Sequence, residues 1–300
     1  MLEFAEYLVT AATVLVVVSL LCHIAVVTST NRATPAEVSR RAKVSVGSPG
    51  EAGREAAHHT PPARKQGLAW YAAAFEVVAL VLLTAYLGIR MSVTGHGPFA
   101  NQHEFAVSFT WGILLANLVF EVRYRVQMLS LAVLPVAGAL LVYGMSLDTG
   151  VKPLIPALQN NLLLTLHVGF AILAYGAACV SFGAAVLFLV RPFVKRLKLP
   201  SPETLDDLGY RAAVVTFPLL TIMIVLGSVW ASTAWGRYWG WDPKETAAFV
   251  TWLLYGAFLH ARVVRDWRGT RAAWLLIVGF IAVLFAYFGN HFFGGLHSYA

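Results

Sequence analysis

Residues 161–190 read NLLLTLHVGFAILAYGAACVSFGAAVLFLV. This run decides the fold class. Crossing a hydrocarbon core of about 30 Å takes about 20 mostly apolar residues. These 30 residues would make a helix of about 45 Å, so it spans and projects, with His167 near its outer end. Comparable runs occur outward from it, at about 4–27, 68–90, 104–120, 127–146, 212–232, 245–263 and 272–290. The chain is 58% hydrophobic and 12% charged, against about 25% charged in soluble domains. Short alternating segments of the kind that build outer-membrane barrels are absent. The expected class is an all-α polytopic membrane protein with about eight transmembrane helices. Cys22 and Cys179 stand alone in apolar runs, so neither a disulfide framework nor a CxxC pair is expected. No CxxCH occurs, which excludes a c-type cytochrome. The first run lacks a basic leader and a small-residue cleavage site, and reads as a retained span.

The net charge of +7 is distributed by topology. Of the 22 Lys and Arg residues, 18 fall in segments 28–67, 121–126, 191–211 and 262–271. The connections between them keep only Arg90, Lys152, Arg237 and Lys244. The positive-inside rule then puts both termini outside and the four basic connections in the cytoplasm. Residues 28–67 are rich in Pro, Gly, Ala, Ser and charge without apolar periodicity, and read as a disordered cytoplasmic loop. The chain therefore divides into 1–67, a first helix plus this loop, and 68–300, a seven-helix core. His58 and His59 fall in the loop and are read as solvated.

The connection WGRYWGWDPKE, 235–245, lies on the outer face in this topology. An interfacial aromatic belt explains one or two tryptophans. It does not explain Trp230, Trp235, Trp239, Trp241 and Trp252 so close together. Asp242 suits a helix N-cap, Pro243 the first helical position and Glu245 the capping-box position. Trp235 and Trp239, four apart, share a face if the segment is helical. Such a ledge suits a large, flat, apolar ligand with polar edges.

His167 and His297 share the outer side with this loop. Two imidazoles from different segments suit the two axial positions of a haem iron, although each alone also fits a hydrogen-bonded interfacial histidine. His260 lies about 22 Å down its span from Glu245, in the inner leaflet, where ionisable groups mark sites or pathways. His23 lies at similar depth. It is read either as partner to His260 in a second bis-histidine site or as a helix-end histidine, and a partner protein is the other source of a ligand for His260. Arg262 suits a haem propionate or topology alone. His103 and Glu104 are assigned to a helix start, with His96 near them and His291 at the interface.

WGRYWGWDPKETAAFVTWLLYGAFLHAR and GLHSYA resemble the tryptophan-rich WWD-domain haem-handling proteins, specifically the CcsA/ResC family of system II cytochrome c biogenesis. LHVGFAILAYGA is similar to the family's first external-histidine segment. TGHGPFANQHEF resembles its early segment, with His103 where a tyrosine is usual. The resemblance covers about 70–120 and 160–300. It implies a multi-pass protein of the bacterial plasma membrane, working with a CcsB/ResB-type partner. Together they would carry haem b to the extracytoplasmic face and attach it by thioethers to the CxxCH of apocytochrome c, as a cytochrome c haem lyase. It implies His167 and His297 as ligands of the outer haem, His260 as a ligand of the inner one, and Trp235, Trp239, Trp241 and Asp242 as the WWD platform. No nucleic-acid partner is expected. No nucleophile–base pair is evident, so positioning is expected to dominate. The alternatives are a haem exporter or chaperone without ligase activity, and a cytochrome b-like electron carrier.

Overall fold

The computed structural model describes residues 1–29, 67–151, 153–159, 161–194, 197, 199–289 and 292–297. The readings on His58, His59, His291 and nearly all of segment 28–67 lie outside them. Eight helices are long and apolar enough to cross a membrane. They are α1 (Leu2–Ser29), α2 (Leu68–Thr94), α3 (Gln102–Tyr124), α4 (Ser130–Met145, which spans together with the 3-10 turn Gln127–Leu129 before it), α5 (Asn161–Val190), α6 (Pro202–Trp235), α7 (Pro243–Val264) and α8 (Thr270–Phe288). Among the described residues there is no strand.

The apolar runs located every helix, but not every boundary. Helix α6 begins ten residues before its apolar run. Ser201 caps it by accepting the Thr204 N–H at 3.2 Å, and Pro202 takes the first turn. Hydropathy missed this stretch because Glu203, Asp206, Asp207 and Arg211 occupy it. At α3 the cap is Asn101, which accepts the Glu104 N–H at 2.8 Å. At α7 the capping box forms as the sequence implies, with Asp242 and Glu245 each bonding the other's end of the turn.

The helices pack as two groups. Helix α1 lies on α2 and α4, and α3 closes that group; in the other, α6 and α8 pack on α5, and α7 packs on α6 and α8. The groups meet where α3 and α4 touch α5. At the α3–α5 crossing, Gly112 faces Gly176. A Cβ on Gly176 would fall on the Gly112 carbonyl, and one on Gly112 would meet the Ile172 carbonyl oxygen at 2.6 Å. Lipid is as apolar as a leucine side chain, so small residues that let backbones approach help hold such helices together. Buried polar pairs do the rest. Arg90 (α2) meets Glu104 (α3) at 2.7 Å with both side chains about 1% exposed, and Arg262 (α7) meets Asp206 (α6) at 2.5 Å.

These contacts also fix the ends of the bundle. Glu6 of α1 approaches Arg90 and His103. The α2–α3 connection, the start of α5, the end of α6 and the segment carrying His297 line one cleft at that same end.

Candidate functional site

The aromatic segment between α6 and α7 forms one wall of that cleft, which encloses about 1120 Å³ of space not filled by atoms, part of it open to the outside. His167, His297, Trp230, Trp235, Trp239 and Lys244 line it. Each of these side chains has a physical reason for its position.

His167 lies in the second turn of α5. Its Nδ1 bonds the carbonyl of Met223 on α6 at 2.8 Å. Its ring sits over Gly227, where an added Cβ would come within 2.5 Å of the imidazole Cε1. One turn on, the Trp230 indole lies parallel to the imidazole, with an interplanar angle of 6° and 6.2 Å between centroids. Met223, Gly227 and Trp230 therefore form a stripe at helical spacing that receives one histidine. A carbonyl can only accept, so Nδ1 carries the proton and Nε2 the lone pair.

His297 reaches the cleft from the non-helical segment after α8. Its Nδ1 bonds Asp242 Oδ1 at 2.8 Å, while Asp242 Oδ2 accepts the Leu296 N–H at 2.6 Å and Oδ1 also accepts the Lys244 N–H at 3.0 Å. One carboxylate thus caps α7 and fastens the His297 segment to it. Burial works against the charge on Asp242. The His297 hydrogen bond and charge, with the Lys244 and Leu296 N–H groups, outweigh it and pull the pKa down to about 2. Burial lowers the His297 pKa, the Asp242 hydrogen bond opposing it only in part. A neutral imidazole donating from Nδ1 has Nε2 as its basic nitrogen, the arrangement metal-ligating histidines adopt.

Trp230 joins the two imidazoles. It is 2% exposed and lies 5.8 Å from the His297 ring. Its indole N–H donates to the Ala157 carbonyl at 3.2 Å, which holds the short turn Pro156–Gln159 against the site. Trp235 stands edge-on to both Trp230 and His297, with centroids 4.7 Å away in each case. Trp239 lines the cleft and touches Trp241, which is 66% exposed at positive φ on the outer rim. The cluster is thus graded from a buried indole to a solvent-facing one. The Lys244 ammonium lies 5.7 Å from the Phe105 ring and supplies a cation.

The remaining sequence candidates lie elsewhere. His260 is exposed near the far end of α7. Arg262 is held by Asp206, and one of its N–H groups also donates to the Trp267 carbonyl at 3.1 Å. His23 is buried on α1 beside Glu76 and Glu121, while α7 packs against α6 and α8. His103 is buried, bonding the Tyr86 hydroxyl and the Gly144 carbonyl at 2.8 Å each. The sequence reading did not single out Trp230 or Gly227 as site residues. The signal that could have found them is the 223–227–230 spacing on an apolar helix.

A family model described as cytochrome C assembly protein matches residues 71–297. Proteins named cytochrome c biogenesis protein CcsA are similar over most of the chain. The one from Guillardia theta is 36% identical, covering 74% of this chain and 83% of its own length. That from Prochlorococcus marinus (strain AS9601) is 35% identical, covering 74% and 82%. That from Gloeobacter violaceus is 32% identical, covering 77% and 90%. With an all-helical bundle of eight apolar helices and two imidazoles meeting at an indole wall, the chain belongs to the cytochrome c assembly protein family.

Proposed function

We propose that this chain is the membrane component of a cytochrome c synthase, which receives haem at the cleft and presents it for thioether attachment to the CxxCH of apocytochrome c. The observation that carries this reading is the matched pair of imidazoles. His167 and His297 each have Nδ1 bound to an oxygen acceptor, which directs Nε2 toward ligation. They flank one buried indole in the wall of an aromatic cleft. Haem is the substrate here. Its flat apolar face matches Trp230, Trp235 and Trp239, and its carboxylate edge matches Lys244.

In this reading His167 and His297 provide the two axial nitrogens and Trp235 and Trp239 carry the macrocycle. Trp241 and Asp242 complete the platform at the rim and at the cap. Each cysteine thiol adds across a vinyl double bond, its sulfur to one carbon and its hydrogen to the other, so no external oxidant is consumed. Holding vinyl groups against thiols supplies proximity and orientation. The cleft faces the extracytoplasmic side of a bacterial plasma membrane, in keeping with the basic connections at the other end. His260, exposed on α7, serves haem at that other end with a second ligand from a CcsB/ResB-type partner. Arg262, two residues on, pairs with Asp206.

The test is an absorption spectrum of the purified protein with haem, alone and with its partner. His167→Ala and His297→Ala are expected to lose the bis-histidine spectrum and regain it with added imidazole. His260→Ala is expected to lower total haem. Spectra unchanged in all three would end the assignment.

A further inference from the structure

Opposite the cleft, inside the α1–α4 group, three helices direct ligating side chains to one point. His23 of α1, Glu76 of α2 and Glu121 of α3 are 3%, 0% and 6% exposed. One ligand atom from each lies within 4.8 Å of the others. Asn117 Nδ2 donates to Glu76 Oε1 and to Ser130 Oγ at 2.8 Å each, and Ser130 Oγ donates to Glu121 Oε2 at 3.3 Å. These bonds steer both carboxylates and leave a set of atoms over. Glu76 Oε2, His23 Nε2 and Asn117 Oδ1 are buried without a hydrogen-bond partner.

Two carboxylates and an imidazole so placed are costly unless something satisfies them. We propose that His23, Glu76 and Glu121 bind one first-row divalent cation, with Asn117 and Ser130 orienting the carboxylates. The donor set selects the ion. Carboxylate oxygens suit Mn²⁺, imidazole suits Fe²⁺ and Zn²⁺, and no thiolate or thioether is among the ligands to favour Cu⁺. Metal–ligand distances of about 2.0–2.2 Å are within reach of small side-chain rotations from the present spacing. A dication offsets the two carboxylates and gives His23 Nε2 and Glu76 Oε2 an acceptor of their lone pairs. It also ties α1 to α2 and α3. His23 then belongs to this centre and not to a haem pair with His260.

The full chain, purified in detergent without chelators, is expected to carry about one Zn²⁺, Fe²⁺ or Mn²⁺ per chain by elemental analysis. After chelation, Co²⁺ is expected to restore one equivalent with visible ligand-field bands. Glu76→Gln and His23→Gln should cut occupancy at least about tenfold, and Asn117→Ala should weaken affinity by about 10–100-fold, as loss of an orienting partner does. Glu203→Gln, on the exposed start of α6, should change nothing. Variants are compared only as monodisperse peaks in gel filtration, and the wild-type Co²⁺ titration decides the matter even if they fail to fold. Wild-type protein that is metal-free and takes up no Co²⁺ overturns the proposal and leaves a proton shared by His23 and Glu76 as the explanation. Equal occupancy in wild type and Glu76→Gln also overturns it.

Discussion

Helices α1–α4 and α5–α8 are both four-helix groups and both enclose an ion pair, yet they differ in what they do with further polar groups. The first shuts them in. Arg90 with Glu104, His103 with Tyr86, and Asn117 with Glu76 are all buried between helices. The second brings His167 and His297 to an open cleft and holds each through Nδ1. The difference separates two uses of polarity in a lipid-facing bundle. Enclosed pairs hold helices in place, and oriented imidazoles at an opening suit a ligand.

Breaking an enclosed pair should do the most damage. Arg90→Met leaves Glu104 without its ion partner and is expected to cost about 3–5 kcal/mol, read as a lower thermal midpoint in detergent. Adding Glu104→Gln should restore part of it. At the seam, Gly176→Val forces α5 off the Gly112 carbonyl and should cost about 1–3 kcal/mol or more. A loss confined to one group's helices, followed by hydrogen exchange, would mean that the seam does not couple the halves. In the cleft, Asp242→Asn should weaken haem binding by about 10–100-fold in a haem titration, with the α1–α4 group intact. Smallest of all, Trp252→Phe removes the indole bond to Thr221 and should cost about 0.6 kcal/mol.

The pH response sharpens the same contrast. His297 has its pKa lowered from 6.5, so it stays neutral on folding where the unfolded chain takes up a proton. Its contribution is complete above pH 6.5 and is lost as pH falls toward the lowered value. Asp242, lowered from 3.8 to about 2, contributes fully above 3.8 and loses it as pH falls through about 2. Docking of the His297 segment, followed by fluorescence of the neighbouring tryptophans, should therefore weaken in two acid steps. Asp242→Asn should remove the lower one.

The sequence carried the helices well because length and hydropathy are local properties. It carried the Asp242–Glu245 cap for the same reason, since three residues define it. It placed His167, His297 and the tryptophans on one side by counting spans. It did not carry the Asp242–His297 bond, which joins residues 55 apart, nor the role of Trp230 between two rings. Arg90 and Arg262 entered the charge tally only as topology signals, because a charge count does not see that each faces a carboxylate on a neighbouring helix. His23 was weighed with His260 by depth alone. Depth says nothing about which face of a helix is turned inward, and that face carries His23 to Glu76 and Glu121.

The fastening of His297 has a kinetic side. Its imidazole is borne on six non-helical residues, 292–297, clasped to α7 through Asp242, whereas His167 is built into a long buried helix. Undoing the clasp disturbs a short stretch of chain and no span; dislodging His167 would mean shifting α5 against α6. In the proposed reaction, an incoming protein histidine would therefore take the His297 position, and finished cytochrome would depart with the clasp open while His167 stays where it is.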